Sequence, residues 1–414
     1  MAGSTAEKKK RRKRRKTRGQ FYDFSLLFVI LFLLCFGLVM IYSTSYYTAQ
    51  LKLGDGTYYL RRQALITAGS LVVMFVISRI DYHVWVKFAV PAYVAAVALM
   101  ILVNYTSFGI EYNGQKRWFG IAGHSLFQPT ELVKLALILV MAVLIVKLEP
   151  AIDLWRVRFL LIVIAAIPTY LVLKNNLSSG IIIAGIVVIM YFVASKKKAV
   201  FAVLAVAVVA LALVVVIGGD YFVEAGLIES YQLERIYVWQ NPTAYATEGG
   251  YQVLQGLYAI GSGGLFGKGL GNSSQKLGFV PEAQNDMIFS IICEELGVIG
   301  GICVILLFLF LIYRFVVIAF NAPDLLGAML VVGAMAHISI QVILNIAVVT
   351  NTIPNTGITL PFISYGGTSV MFLLAEMGLV LSVSNQIVVK EPAEADQRRS
   401  RRSRSAVRRT ARAQ

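Results

Sequence analysis

Residues 26–42 read LLFVILFLLCFGLVMIY, a run without a single charge. A membrane-spanning helix needs about 20 mostly apolar residues, because bilayer hydrocarbon is about 30 Å thick. Nine further mostly apolar runs follow, at 64–78, 84–103, 132–146, 159–173, 177–194, 200–217, 287–312, 326–349 and 370–388. They make the 414-residue chain 58% hydrophobic and only 14% charged. A soluble domain is about 45–50% apolar and about 25% charged. One aqueous core cannot hold that surplus, and lipid can. The expected fold is all-α and polytopic, with about ten transmembrane helices. An eleventh apolar stretch, 253–266, is short and glycine-rich. It reads as re-entrant or interfacial, since irregular backbone at membrane depth must be shielded by protein or line a cavity.

Ten spans put both tails on one side. That side carries 28 of the 38 Lys and Arg residues, and the opposite side ten. By the positive-inside rule the tail side is cytosolic. The expected organisation is a basic cytosolic tail (1–20), a membrane domain (21–389) and a second basic cytosolic tail (390–414). The longest outer loop, 218–286, joins the seventh and eighth spans. The formal charge of +16 would suggest nucleic acid in a soluble protein. Here it concentrates in KKKRRKRRKTR (8–18) and RRSRRSRSAVRRTAR (398–412). Such blocks read as topology anchors on anionic lipid, or as partner-binding tails, and no nucleic-acid partner is expected. The first apolar run is too long, and lacks the small-residue site, for a cleavable signal peptide. Cys35, Cys293 and Cys303 lie inside apolar runs with no metal or redox spacing, so they read as packing residues.

The chemistry therefore faces outward. Nine glycines crowd Gly249–Gly271, where they permit close backbone approach and positive φ. A nucleotide loop is excluded, because the GxxxxGK[ST] spacing fails and Gly269 stands where the hydroxyl belongs. At the end of this loop Asp286 opens a span. It reads either as a helix cap or as a reacting carboxylate at the membrane boundary, and the two are compatible. Glu294 and Glu295 fall inside that span and need partners, most simply as ion pairs within the bundle. Glu131 and Lys134 sit at i, i+3 on one helix face, as a local salt bridge or as a clamp on substrate phosphate. The outer cations Arg61, Arg62, Lys116, Arg117, Lys268 and Lys276 either snorkel to the interface or form a basic surface for an anionic headgroup. In 354–369, PNTGITLPFISYGGTS, prolines and glycines just before a span give irregular backbone that usually lines a cavity.

Four blocks occur in order: RWFGIAGHSLFQPTELVK (117–134), GYQVLQGLYAIGSGGLFGKGLGNSSQK (250–276), VPEAQNDMIFSIICEELG (280–297) and PNTGITLPFISYGGTS (354–369). In these the chain resembles the SEDS family (shape, elongation, division and sporulation), over roughly 21–389. The wording of GLGNSSQK and the basic tails are more similar to the division and sporulation branches than to the elongation branch. The resemblance implies a peptidoglycan glycosyltransferase that polymerises lipid II on the outer face of the bacterial cytoplasmic membrane during division. The family's proposed catalytic carboxylate lands on Asp286, and its outer Arg, Glu and Lys land on Arg62, Glu131 and Lys134. Lys276, Gln275, Glu282 and Ser364 complete the substrate-binding set. Two positions depart from the family pattern: Asn176 stands where an Asp is common, and Gln284 where a His is common. The partners implied are lipid II, the nascent glycan strand, membrane lipid, a class B penicillin-binding protein and other divisome membrane proteins. No metal cage is visible in the sequence. The cofactor left open is a divalent cation, magnesium or manganese, bridging pyrophosphate and carboxylates. A lipid II flippase is the competing reading, since many spans and basic residues suit it too, and a passive scaffold is a third.

Overall fold

The computed structural model describes residues 22–112, 115–121, 124–224, 230–247 and 249–388. The basic tails expected at 1–20 and 390–414 lie outside the described residues. Each expected span has a helix. They are α1 (Phe24–Leu53), α2 (Tyr58–Arg79), the one-turn α3 (Tyr82–Val86) with α4 (Ala89–Tyr105), α5 (Pro129–Leu148), α6 (Trp155–Leu173), α7 (Leu177–Ala194) and α8 (Ala199–Glu224). Two loop helices follow, α9 (Ser230–Gln240) and α10 (Gly250–Gly263), then α11 (Ile288–Asn321), α12 (Leu325–Val349) and α13 (Gly367–Asn385). Among the described residues seven helices are long and apolar enough to cross a membrane, and Ala89–Tyr105 and Ala199–Ala210 are shorter apolar helices.

Side-chain burial separates inner helices from outer ones. In the most apolar stretches of α12 and α13, 67% of residues are buried inside the protein, against 28% in α2, α6 and α11. Large apolar side chains such as Leu65, Ile217 and Phe320 are 76%, 85% and 87% exposed. In water such a surface would aggregate; against acyl chains it costs nothing. The core packs Leu26, Ile30 and Leu33 of α1, Leu137 and Met141 of α5, Ile288 and Ile292 of α11, and Leu374 of α13. Asp23 caps α1 by accepting from the Leu26 amide at 2.9 Å, and Arg314 of α11 pairs with it at 2.7 Å.

The loop between α4 and α5 folds into an element the sequence reading lacked, a three-stranded antiparallel meander of β1 (Gly109–Tyr112), β2 (Gln115–Ile121) and β3 (His124–Phe127). Phe119 pairs with Gly109 and Phe127 across the strands, and its ring lies between those of Phe108 and Phe127. Aromatic cross-strand packing of this kind stabilises so small a sheet. The glycine-rich stretch expected at 253–266 to be re-entrant or interfacial is the amphipathic helix α10, packed along α11.

One junction explains why glycines crowd there. At Gly297 the backbone of α11 turns to φ 70°, ψ −174°. The ladder is broken there, and the loop after α10 supplies partners: Lys268 and Gly269 donate to the Glu294 and Glu295 carbonyls at 2.9 Å, and Val298 donates to the Gly264 carbonyl at 2.9 Å. A Cβ on Gly297 would lie 2.3 Å from the Leu265 oxygen. Gly297→Ala is therefore expected to lower the melting temperature in detergent, at a cost of about 1–3 kcal/mol for the positive φ alone. A variant melting with the parent would refute this account of the junction.

Candidate active site

Asp286 lies just before α11. The cap position of that helix is Met287, which makes no side-chain capping bond, so the capping reading of Asp286 lacks its expected geometry. The carboxylate is 8% exposed, and its Oδ1 has no hydrogen-bond partner. Burial first, and then the nearby Glu282 carboxylate, raise its pKa to about 7. The Asp286 and Met287 amides and the Gln252 side chain act the other way. A buried carboxylate with one unsatisfied oxygen is costly to keep, and a pKa near the working pH is what a general base requires.

The 354–366 segment is a strap across this site. Asn345 of α12 donates to the carbonyls of Asp286 (2.9 Å) and Ile358 (2.6 Å). Ser364 donates to the Asn285 carbonyl at 2.6 Å and accepts from the Leu360 amide at 2.8 Å. The Tyr365 amide donates to the Gln284 carbonyl at 2.8 Å. A Cβ on Gly357 would sit 3.6 Å from Asp286 Oδ2, so strap backbone runs directly beside the carboxylate. Its other edge rests on α1. A Cβ on Gly37 would be 2.7 Å from the Phe362 oxygen, and only glycine lets the two backbones approach that closely.

Beyond the strap lie the predicted cations. Lys134 and Glu131 pair at 2.8 Å, with side chains 3% and 8% exposed, and Ser369 reaches the Glu131 carboxylate at 3.4 Å. Gln63 accepts from the Gly366 amide at 3.3 Å. Arg62 is exposed and lies beside Tyr365, whose ring packs edge-on against Tyr59. Glu282 is exposed and accepts from the Asn285 side chain. Thus Asp286, Glu282, Ser364 and Arg62 meet the strap or the loop beneath it, while the Glu131–Lys134 pair meets Ser369 in the first turn of α13, just after the strap.

Lys276 and Gln275 sit elsewhere. The Lys276 ammonium is buried and committed to Glu295 at 2.8 Å and to Ser43 at 2.8 Å. Beside it Glu294 is held by Lys268 at 2.6 Å and by Ser273. Glu295 follows Asp286 by roughly 13 Å of helix, at about 1.5 Å per residue. Glu294 and Glu295 are ion-paired, but with Lys268 and Lys276 of the outer loop rather than with bundle helices, and Glu295 takes the lysine that the sequence reading gave to phosphate. Gln275 is half-buried with its side-chain oxygen unpartnered. One departure from the family pattern has structural work: Asn176 caps α7 by accepting from the Ser179 amide at 3.1 Å; at Gln284 the contact with Tyr365 is made by the backbone carbonyl, which any residue would supply.

Several residues escaped the sequence reading. Gln341 donates to the Thr359 carbonyl at 3.0 Å. His337 bridges Gln341 (3.0 Å) and Glu376 of α13 (2.8 Å). The signal was present: His337, Gln341 and Asn345 recur every four residues, one polar stripe on an apolar helix. Among the described residues no three His, Cys, Asp or Glu side chains are gathered for a metal. A divalent cation here would draw most of its ligands from substrate phosphate and water.

Residues 24–388 match the model of the cell cycle protein family that takes in FtsW, RodA and SpoVE. The chain belongs to this family. Its relatives in the FtsW, RodA and SpoVE family include the stage V sporulation protein E of Bacillus subtilis (strain 168), 38% identical over 364 residues, covering 87% of this chain and 96% of that protein. A probable peptidoglycan glycosyltransferase FtsW of Geobacter sp. (strain M18) is 34% identical over 372 residues, covering 89% and 98%. Among solved structures, a chain of a peptidoglycan synthase complex that coordinates polymerisation and crosslinking superposes with a TM-score of 0.71 at 24% identity. That likeness covers 89% of this chain and 99% of the other and carries the fold. Membership in the FtsW, RodA and SpoVE family agrees with the resemblance drawn from the four sequence blocks.

Proposed function

We propose that the protein is a peptidoglycan glycosyltransferase that polymerises lipid II into β-1,4 glycan at the outer face of the bacterial cytoplasmic membrane, with both termini cytosolic. The observation that carries this is Asp286, buried, half-satisfied and with its pKa raised to about 7, beside a strap that leads into Ser369, where the buried Glu131–Lys134 pair sits. The names of the FtsW relatives support the activity. The likeness to a chain of a synthase complex supports a partner that crosslinks what this chain polymerises, a class B penicillin-binding protein.

In the reaction the acceptor sugar's 4-hydroxyl attacks the anomeric carbon of the lipid-linked strand. The new C1–O4 bond forms as the C1–O bond to pyrophosphate breaks. Undecaprenyl pyrophosphate leaves with the electron pair, and the hydroxyl proton goes to Asp286. An α-linked donor giving a β linkage requires one inversion, hence one base and one positively charged leaving-group site. Lys134 and Arg62 serve the pyrophosphate, and Glu131 orients Lys134. Glu282 acts through the charge it sets beside Asp286. Lys276 is assigned to the fold.

The test is purified protein, with its transpeptidase partner, incubated with labelled lipid II and resolved on a gel. A glycan ladder is expected. Lys134→Ala should weaken it about 10²-fold or more, because a charge-assisted contact with the leaving group is lost and Glu131 is left buried and unpaired. Lipid II flipping in liposomes without any ladder would overturn the reading in favour of the flippase.

A further inference from the structure

A pocket of about 290 Å³ opens beside the Asp286 site, lined by Glu234, Arg235, Val238, Gly249, Gln252 and Asn355. It is built by α9 and the start of α10, closed by the strap. Arg235 donates to the Asn355 carbonyl at 3.1 Å, and the Asn355 side chain donates to Gln252 Oε1 at 3.1 Å. Gln252 is also close enough to the Asp286 carboxylate to lower its pKa. The strap joins the pocket wall at Asn355 to Gly357, where a Cβ would lie 3.6 Å from Asp286 Oδ2.

We infer that this pocket is the acceptor-sugar subsite, taking a single N-acetylated hexose and presenting its hydroxyl to Asp286. The inference rests on the glycosyltransferase reading above. Size is the first argument. Ligand pockets run from about 300 to 1,000 Å³, so this one is at the small end. It suits one sugar. Chemistry is the second. Two carboxamides, a carboxylate and a guanidinium offer both donors and acceptors for hydroxyls and an acetamido group, and Val238 supplies an apolar wall for a sugar's C–H face. Position is the third. The base must touch the acceptor, and the strap carries the pocket wall at Asn355 to within two residues of Gly357, beside Asp286. The cations suited to the donor's pyrophosphate lie at the strap's other end, Arg62 beside Tyr365 and Lys134 with its partner Glu131 beside Ser369 just beyond it, whereas the pocket meets it at Asn355. The strap thus divides the acceptor sugar from the donor phosphates.

Two variants test this. Glu234→Gln removes a charged acceptor from an exposed side chain. Gly249→Leu occludes the pocket: its φ of −59° admits any residue, and its Cβ would start 3.3 Å from Glu234 Oε1 and 3.4 Å from Val238 Cγ2. Initial rates are measured with a pre-formed lipid-linked glycan strand as donor and labelled lipid II as acceptor, varying each in turn. Both variants should raise the acceptor KM about ten-fold, the scale of one lost hydrogen bond to a charged group. The donor KM should stay within about two-fold, and melting temperatures in detergent should match the parent. Lys134→Ala should give the opposite split. An unchanged acceptor KM in both variants, or an equal rise in donor KM, overturns the subsite while leaving the polymerase standing. A variant that melts early is judged by the other. A parental protein that makes no ladder at all brings down the glycosyltransferase reading, and the subsite with it, and that result is visible in the parental lane alone.

Discussion

Asp286→Asn is expected to abolish the glycan ladder, a loss of about 10²–10⁴-fold for a missing general base, while raising the melting temperature. The two effects share one cause. Burial and Glu282 hold the Asp286 pKa at about 7 in the folded protein, above an ordinary carboxylate near 3.8. Between those values the folded state binds more protons than the unfolded one, so stability falls as pH rises across the interval. Above pH 7 the folded protein carries the full cost of a desolvated carboxylate, on the order of a few kcal/mol. Asparagine has the same shape without the charge. The variant should therefore melt higher than the parent at pH 8 and level with it at pH 4. Activity has the opposite dependence, because the base works ionised: the parental rate should climb with pH up to about 7 and then level off. Glu282→Gln removes the like charge and should move that climb to lower pH. A parental rate that is flat from pH 5 to 8, or an Asp286→Asn protein that still makes ladders, would remove Asp286 from the reaction.

The spans were legible because each is a long apolar run with at most two charged residues, and a bilayer imposes a length that a soluble core does not. Asp286, Glu131 and Lys134 were legible for a related reason: a charge at the edge of an apolar run is expensive, and so conspicuous. The meander at Gly109–Phe127 was not, since its strands are four to seven residues long and their pairing depends on Phe119 meeting Phe108 and Phe127 across turns. Gln252 and the pocket around Glu234 were hidden as well. Their meaning comes from Asn355, about a hundred residues away along the chain, and no local pattern announces such a meeting. Lys276 illustrates the converse. Its place in an outer, glycine-rich loop suggested phosphate, but the breaking of α11 at Gly297 brings the loop against Glu294 and Glu295, and a buried carboxylate captures the nearest ammonium.

That capture makes Lys276→Ala the most destabilising charge removal expected in this loop. Glu295 has no exposed surface, and its Oε1 is held only by Lys276 (2.8 Å) and Ser43 (2.7 Å) among the described contacts, with Oε2 unpartnered. Deleting the lysine strands a buried carboxylate, a cost of about 3–5 kcal/mol. The loop from Gly264 to Gly278 should then loosen, since Lys268 and Ser273 dock on the neighbouring Glu294. The double variant Lys276→Met with Glu295→Leu exchanges the pair for apolar groups of similar volume. Replacement of a buried pair in this way is often neutral or stabilising, so most of the lost stability should return. Activity discriminates the two roles that the sequence allowed. A structural lysine predicts that the double variant, once it melts like the parent, also polymerises within a few-fold of it. A phosphate-binding lysine predicts a protein as stable as the parent that makes no glycan, and that outcome would return Lys276 to the substrate.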